Sequence, residues 1–156
     1  MKRTILAAAA IVTAGLAAPA PLSAQEKVEP KGIVAYRIAV MRTLGAQMMA
    51  IKTALTETPE FRTNILWHGQ IIADASKNLV DLFPEGSNEP PSTTLDVVWQ
   101  KWSDFEAAAG ELEKLSAAFL DVASRGDPEA TLQAFARMGK QGCGGCHENF
   151  RRKRGG

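Results

Sequence analysis

Apolar residues recur along most of this chain at alternating steps of three and four, the period of a helix that buries one face. From about Pro30 to Thr56 the inward positions read Val34, Arg37, Met41, Leu44, Met48, Ile51 and Leu55. Only Arg37 breaks the apolar seam. Thr58-Pro59-Glu60 then restarts a helix, with Thr58 as N-cap, Pro59 at the first position and an acid in the first turn. Its inward set is Phe61, Ile65, His68, Ile72, Ala75, Leu79 and Leu82, and Pro84 and Gly86 end it. Residues 84–93 have the composition of a loop. A third helix is expected from about Thr94 to Ser124, burying Val98, Trp102, Phe105, Ala109, Leu112, Phe119 and Val122. Gly126-Asp127-Pro128 reads as a stop and a new start, with Asp127 as N-cap and Pro128 at the first helical position. A fourth helix is expected from there to about Lys153. No stretch reads as a strand. Four helices joined mostly by short links predict an all-α, antiparallel up-down-up-down four-helix bundle.

The first residues follow a different pattern. Lys2 and Arg3 precede an apolar run from Ile5 to about Ala18, and Leu22-Ser23-Ala24 offers a cleavage site before Gln25. This is the layout of a secretory signal peptide, residues 1–24, leaving a mature domain at 25–156. The run is shorter than the roughly 20 residues of a membrane span, and Pro19 and Pro21 follow it. An uncleaved N-terminal anchor is the alternative. Cleavage removes two cations and leaves 16 Lys and Arg against 17 Asp and Glu, a formal charge of −1. That balance gives no electrostatic case for nucleic acid as a partner. No other run is long enough for stable membrane insertion, so the expected destination is the periplasm.

The chemistry is concentrated near the C-terminus. Both cysteines of the chain and one of its two histidines lie in Cys143-Gly144-Gly145-Cys146-His147. Cys-x-x-Cys-His is the attachment signature of c-type haem: each thiol forms a thioether with the porphyrin, and the histidine binds iron from one face. On a helix Cys143, Cys146 and His147 stand at i, i+3 and i+4 and share a face. The glycines leave room for a flat ring close to the backbone. Three other readings compete. A thioredoxin-like site would need a strand before the motif, whereas Leu132, Phe135, Ala136, Met138 and Gly139 have helical spacing. A zinc site would need a fourth ligand, for which only His68 offers itself. A plain disulfide is the third. The residues favour one covalent haem c and its iron.

A haem changes how the seam residues read. Arg37 on an inward seam needs a partner, and a haem propionate would supply one; the alternative is a side chain that reaches water from near the helix end. No methionine follows His147, so a second axial ligand must come from earlier in the chain. Met138 shares the haem-bearing helix, Met49 lies off the seam, and Met41 and Met48 remain. In an antiparallel bundle the start of the first helix lies beside the end of the fourth, which favours Met41. Met41 as core filler stays open beside this. His68 is a remote competitor.

With these features the chain resembles the cytochrome c′ family, the class II c-type cytochromes. The likeness rests on Cys143 to His147 followed by Phe150-Arg151, on Tyr36-Arg37 and Met41 to Met49 in the first helix, on Leu82-Phe83-Pro84, and on Trp99 with Phe105. Cytochrome c′ is itself a standard instance of the up-down-up-down bundle, so the fold expectation and the resemblance are not independent. The resemblance implies a distal position at Met41, a propionate contact for Arg37 and a proximal-face position for Arg151. It also implies a homodimer through the first two helices. Family members are either low-spin, with a first-helix methionine as sixth ligand, or five-coordinate and high-spin, admitting gases such as nitric oxide. The expectation is the first kind: a periplasmic monohaem electron carrier, not an enzyme, that meets redox partner proteins. The alternative is the second kind. Arg151 to Arg154 either steer an acidic partner or complement the last helix turn.

Overall fold

A computed structural model describes residues 28–153. The expected signal peptide and Arg154 lie outside the described residues. Six helical segments build the four legs of the bundle: α1 Gly32–Thr56, α2 Ile65–Ser76, α3 Val97–Gln100, α4 Trp102–Ser124, α5 Pro128–Arg137 and α6 Gly145–Phe150. A π-helical stretch, Met138–Gly144, joins α5 to α6 into one continuous leg. Helix α2 packs against α1 and α4, and α4 packs against α5 and the π-helical stretch. The architecture is the expected antiparallel four-helix bundle. Among the described residues the sole β pairing is an isolated bridge between Thr94 and Arg151.

The seam read from the first helix is the buried face of α1. Val34, Arg37, Leu44, Ile51 and Leu55 are buried, and Met41 and Met48 are half-buried against the same core. In α4 the buried set includes Phe105, Ala109, Leu112 and Phe119, as the period required. Phe119 of α4 sits against Gly69 of α2. A Cβ on Gly69 would lie 2.7 Å from Phe119 Cε1, so only glycine permits that approach.

Three of the legs differ from the sequence reading at their boundaries, each for a local reason. The second leg does not begin as an α-helix at Thr58: Pro59–Asn64 form a 3₁₀ turn. Three residues per turn shift the phase, and Phe61, placed inward by the 3.6 period, is 53% exposed. The Thr58 hydroxyl bonds back to Thr53 O instead of capping the turn. The third leg is interrupted at Lys101, whose φ of −127° and ψ of 53° separate α3 from α4. Thr94, placed in this helix by the sequence, is an extended residue paired with Arg151. The fourth leg ends at Phe150 rather than Lys153, because Arg151 turns extended with φ −120° and ψ 136°. Its start is as expected: the Asp127 carboxylate accepts from the amides of Glu129 and Ala130 at 2.9 and 3.1 Å, and Pro128 takes the first position. Leu132 faces solvent on this leg, while Thr131 and Met138 are buried.

Candidate functional site

The site forms at one end of the bundle, where α1 begins, α4 begins and α6 ends. An aromatic cluster fixes this end. Phe105 lies 4.7 Å from Phe83 and 5.4 Å from Phe150, both edge-on, and 5.4 Å from Trp102. Such edge-to-face pairs add to what burial alone contributes. Trp99 is half-buried here and its indole N–H donates to Phe83 O at 3.0 Å. Trp67 stands elsewhere and is 64% exposed.

Cys143 closes the π-helical stretch with Gly144, and Cys146 and His147 open α6. The widened turns come from a glycine-rich sequence, Met-Gly-Lys-Gln-Gly-Cys-Gly, in which little side-chain packing resists them. Two of these glycines are close approaches. A Cβ on Gly142 would fall 2.9 Å from Leu112 Cδ1 on α4, and one on Gly139 would fall 3.3 Å from Met48 Cε on α1. At Gly142 a side chain would press on Leu112, backbone included, whereas at Gly139 the flexible Met48 tip need move only slightly.

Both cysteines are free thiols, half-buried and packed against the core. Burial pushes both up from the ordinary thiol value. Cys146 is pushed to about 11 by burial and then by Cys143, with Arg151 opposing. The disulfide reading is not what the structure holds, and neutral thiols resist oxidation. A helix precedes the motif, which removes the thioredoxin-like reading. Among the described residues no group of three or more His, Cys, Asp or Glu converges as ligands of a metal ion would. The zinc reading therefore has no site. His68 lies away from the motif, its Nδ1 at 2.6 Å from Gln47 Oε1 and its ring 4.8 Å from that of Trp67.

The residues present fit a covalent haem. Two unpaired thiols and a half-buried histidine stand on one leg, glycines clear the backbone beside them, and a methionine on the facing helix is half-buried against the same core. Arg151 adds an independent sign. Its Nε is buried and has no hydrogen-bond partner among the protein atoms. Such an orphan donor is costly unless something else accepts from it.

Arg37 is buried, 3% exposed, and does not reach water. Its Nη1 donates to Leu82 O at 2.9 Å and to Ser87 Oγ at 2.8 Å, and its Nη2 donates to Ser92 Oγ at 3.0 Å and to Ser87 O. The guanidinium also lies 4.7 Å from the centre of the Phe83 ring. Burial lowers its pKa, yet an arginine stays protonated in a protein. All four N–H bonds of the two terminal nitrogens are spent on the loop, which leaves Nε–H alone for a carboxylate. The sequence reading weighed a propionate against water and did not weigh the loop. The signal was there: a seam arginine needs several acceptors, and Ser87 and Ser92 lie within the 84–93 loop.

A helical bundle with Cys-x-x-Cys-His on its last leg is a c-type cytochrome fold. The sequence profile described as cytochrome c′ matches residues 32–151, and the chain belongs to the cytochrome c′ family. It carries the covalent haem c of that family. Cytochrome c-554 of Cereibacter sphaeroides is 32% identical over 98 residues, which cover 56% of this chain and 72% of that protein. Among solved structures, a cytochrome c′ described for its ligand-controlled dimer dissociation superposes with a TM-score of 0.71. It is 24% identical, and the match covers 78% of this chain and 95% of that one. The cytochrome c′ of Shewanella frigidimarina has the same TM-score, 0.71, and the same identity, 24%, with 78% and 94% covered. These structural likenesses establish the shared fold.

Proposed function

We propose that this protein is a periplasmic carrier of single electrons whose iron is held by His147 on one face and Met41 on the other. When bound, the haem supplies a one-electron iron couple. The chain's own residues do the rest. Cys143 and Cys146 fix the ring to the last leg. His147 binds from that leg, and Arg151, four residues on, has a buried Nε–H to offer. Met41 faces inward from α1, one turn beyond the buried Arg37, and packs against the core that receives the motif. That placement is the observation that carries the reading. Two protein ligands keep the coordination alike in both oxidation states, and a thioether raises the potential relative to a second imidazole. No substrate is transformed, so the protein is read as a carrier and not an enzyme.

Export follows the signal peptide at residues 1–24. Among the described residues no helix is long and apolar enough to cross a membrane. A homodimer through α1 and α2 belongs to the same reading. Tyr36 and Met49 on α1, and Leu66 and Trp67 on α2, are exposed apolar side chains, and one structural relative is described as a dimer. Redox partner proteins are the expected partners.

A second reading rests on the same methionine. Met41 is half-buried with apolar neighbours, and packing alone accounts for a residue so placed. The protein would then be five-coordinate and would bind nitric oxide or other small gases. Absorption spectra of the ferric and ferrous protein, before and after carbon monoxide, decide between the two. A low-spin spectrum indifferent to the gas supports His147 and Met41 as the ligand pair. A high-spin spectrum that shifts with the gas overturns it.

A further inference from the structure

Arg37 and the haem motif belong to one hydrogen-bonded path. Arg37 on α1 holds Leu82 O, both oxygens of Ser87, and Ser92 Oγ. Ser92 Oγ in turn accepts from the Thr94 amide at 3.2 Å. The next residues are stitched to the chain just past the motif. Leu95 N–H donates to Phe150 O at 3.0 Å, Arg152 N–H donates to Thr93 O at 2.7 Å, and Thr94 pairs with Arg151. Phe150 lies three residues beyond His147, and Arg37 lies one turn before Met41. The loop therefore spans the two elements that carry the opposite faces of the site, and its bonds at both ends are directional.

We propose that Arg37 is a positioning residue that, through the 82–95 loop, sets how closely the distal face of α1 is held against the haem-bearing leg. The inference goes beyond the ligand assignment made above, though its clearest readout rests on that assignment. A buried guanidinium with four acceptors is rigid where a hydrophobic contact slides. Breaking it frees the start of α1 from the loop, while the thioethers and His147 keep their own anchors. The distal side should loosen and the proximal side should not.

The test uses the holoprotein in four forms: wild type, Arg37→Gln, the loop double variant Ser87→Ala with Ser92→Ala, and Met41→Ala. Amide hydrogen exchange is read at Leu95 and Arg152, and the optical spectrum and carbon monoxide uptake are read in parallel. Arg37→Gln and the loop variant should each speed exchange at both amides by about ten- to hundredfold, the loss expected when bonds to a buried charge are removed. Both should also raise the high-spin fraction and open the reduced protein to carbon monoxide. Met41→Ala should change the spectrum and leave the exchange as in wild type.

Faster exchange with a wild-type spectrum and gas uptake would overturn the proposal and reduce Arg37 to a purely structural clamp. Unchanged exchange would overturn it as well. If Arg37→Gln does not fold, the loop variant decides, because it removes two of the acceptors while α1 and the guanidinium itself keep their own residues. A wild type that is already high-spin, with Met41→Ala the same, sinks the ligand assignment alone. The rate of carbon monoxide binding then tests Arg37, with acceleration in the loop variant supporting the proposal and an unchanged rate overturning it.

Discussion

The two ends of this bundle are built from different forces. At the site end, α1, the loop and the last leg are joined by long-range polar bonds: Arg37 to Leu82, Ser87 and Ser92, Trp99 to Phe83, and Thr93 and Leu95 to the residues around Phe150. At the opposite end the legs meet through apolar contact, with Phe119 fully buried beneath Gly69 and 6.4 Å from Phe135. Most polar bonds there are local, such as the Asp127 cap and the bond from the Thr131 hydroxyl to Asp127 O, with the contact of His68 with Gln47 the exception that joins two legs. Hydrophobic burial is strong but non-directional, and it tolerates small slips. A hydrogen bond to a buried charge is selective in distance and angle. On the proposed ligand pair, the end that would hold both axial ligands is the end that carries most of the long-range directional bonds.

That contrast predicts which substitutions change the spectrum and which change only stability. The largest effect should come from the motif. Cys143→Ser with Cys146→Ser should abolish covalent attachment, so that no haem stain survives on a denaturing gel. Retained stain would remove the thioether assignment. Met41→Ala comes next. It should convert a low-spin protein to a high-spin one that takes up carbon monoxide, with the haem still covalently bound. A spectrum that stays low-spin would point to another sixth ligand.

At the far end the effects should appear in unfolding alone. Gly69→Ala places a methyl group 2.7 Å from Phe119 Cε1. Overpacking of this kind costs about 1–3 kcal/mol, to be read from denaturant unfolding followed by circular dichroism. Asp127→Ala removes the cap on two amides and should cost about 1 kcal/mol. Either variant would break the contrast if it shifted the spin state, because the far end would then be communicating with the site. The smallest effect is expected at Phe61, which faces water on the 3₁₀ turn. Phe61→Ser should change stability by less than about 0.5 kcal/mol, whereas a core residue in the position first read for it would lose several times that.

The fold was largely legible in the sequence, because helical periodicity and caps are local signals. The seam of α1, the buried set of α4 and the Asp127-Pro128 start all stand where the period put them. The misreadings cluster where a helix departs from 3.6 residues per turn. Thr58 to Asn64 form a 3₁₀ turn, Lys101 breaks the third leg, and Met138 to Gly144 widen into a π-helix. The turn at Pro59 and the break at Lys101 leave no mark in the apolar period, and the π-helix lies against Leu112 on α4, a neighbour that a one-dimensional pattern does not contain. The haem was equally legible. Covalent attachment needs particular residue types at fixed spacing, and Cys143, Cys146 and His147 supply both.

What the sequence determined by itself was a haem-bearing helical bundle, because the haem signature and the helix period are both written over short stretches of chain. What only the tertiary structure decided was the use of Arg37. Its acceptors lie 45 to 55 residues away, on a loop with no period to read. A buried charge announces that it needs partners, but which groups come within hydrogen-bond reach is fixed only when the legs have packed.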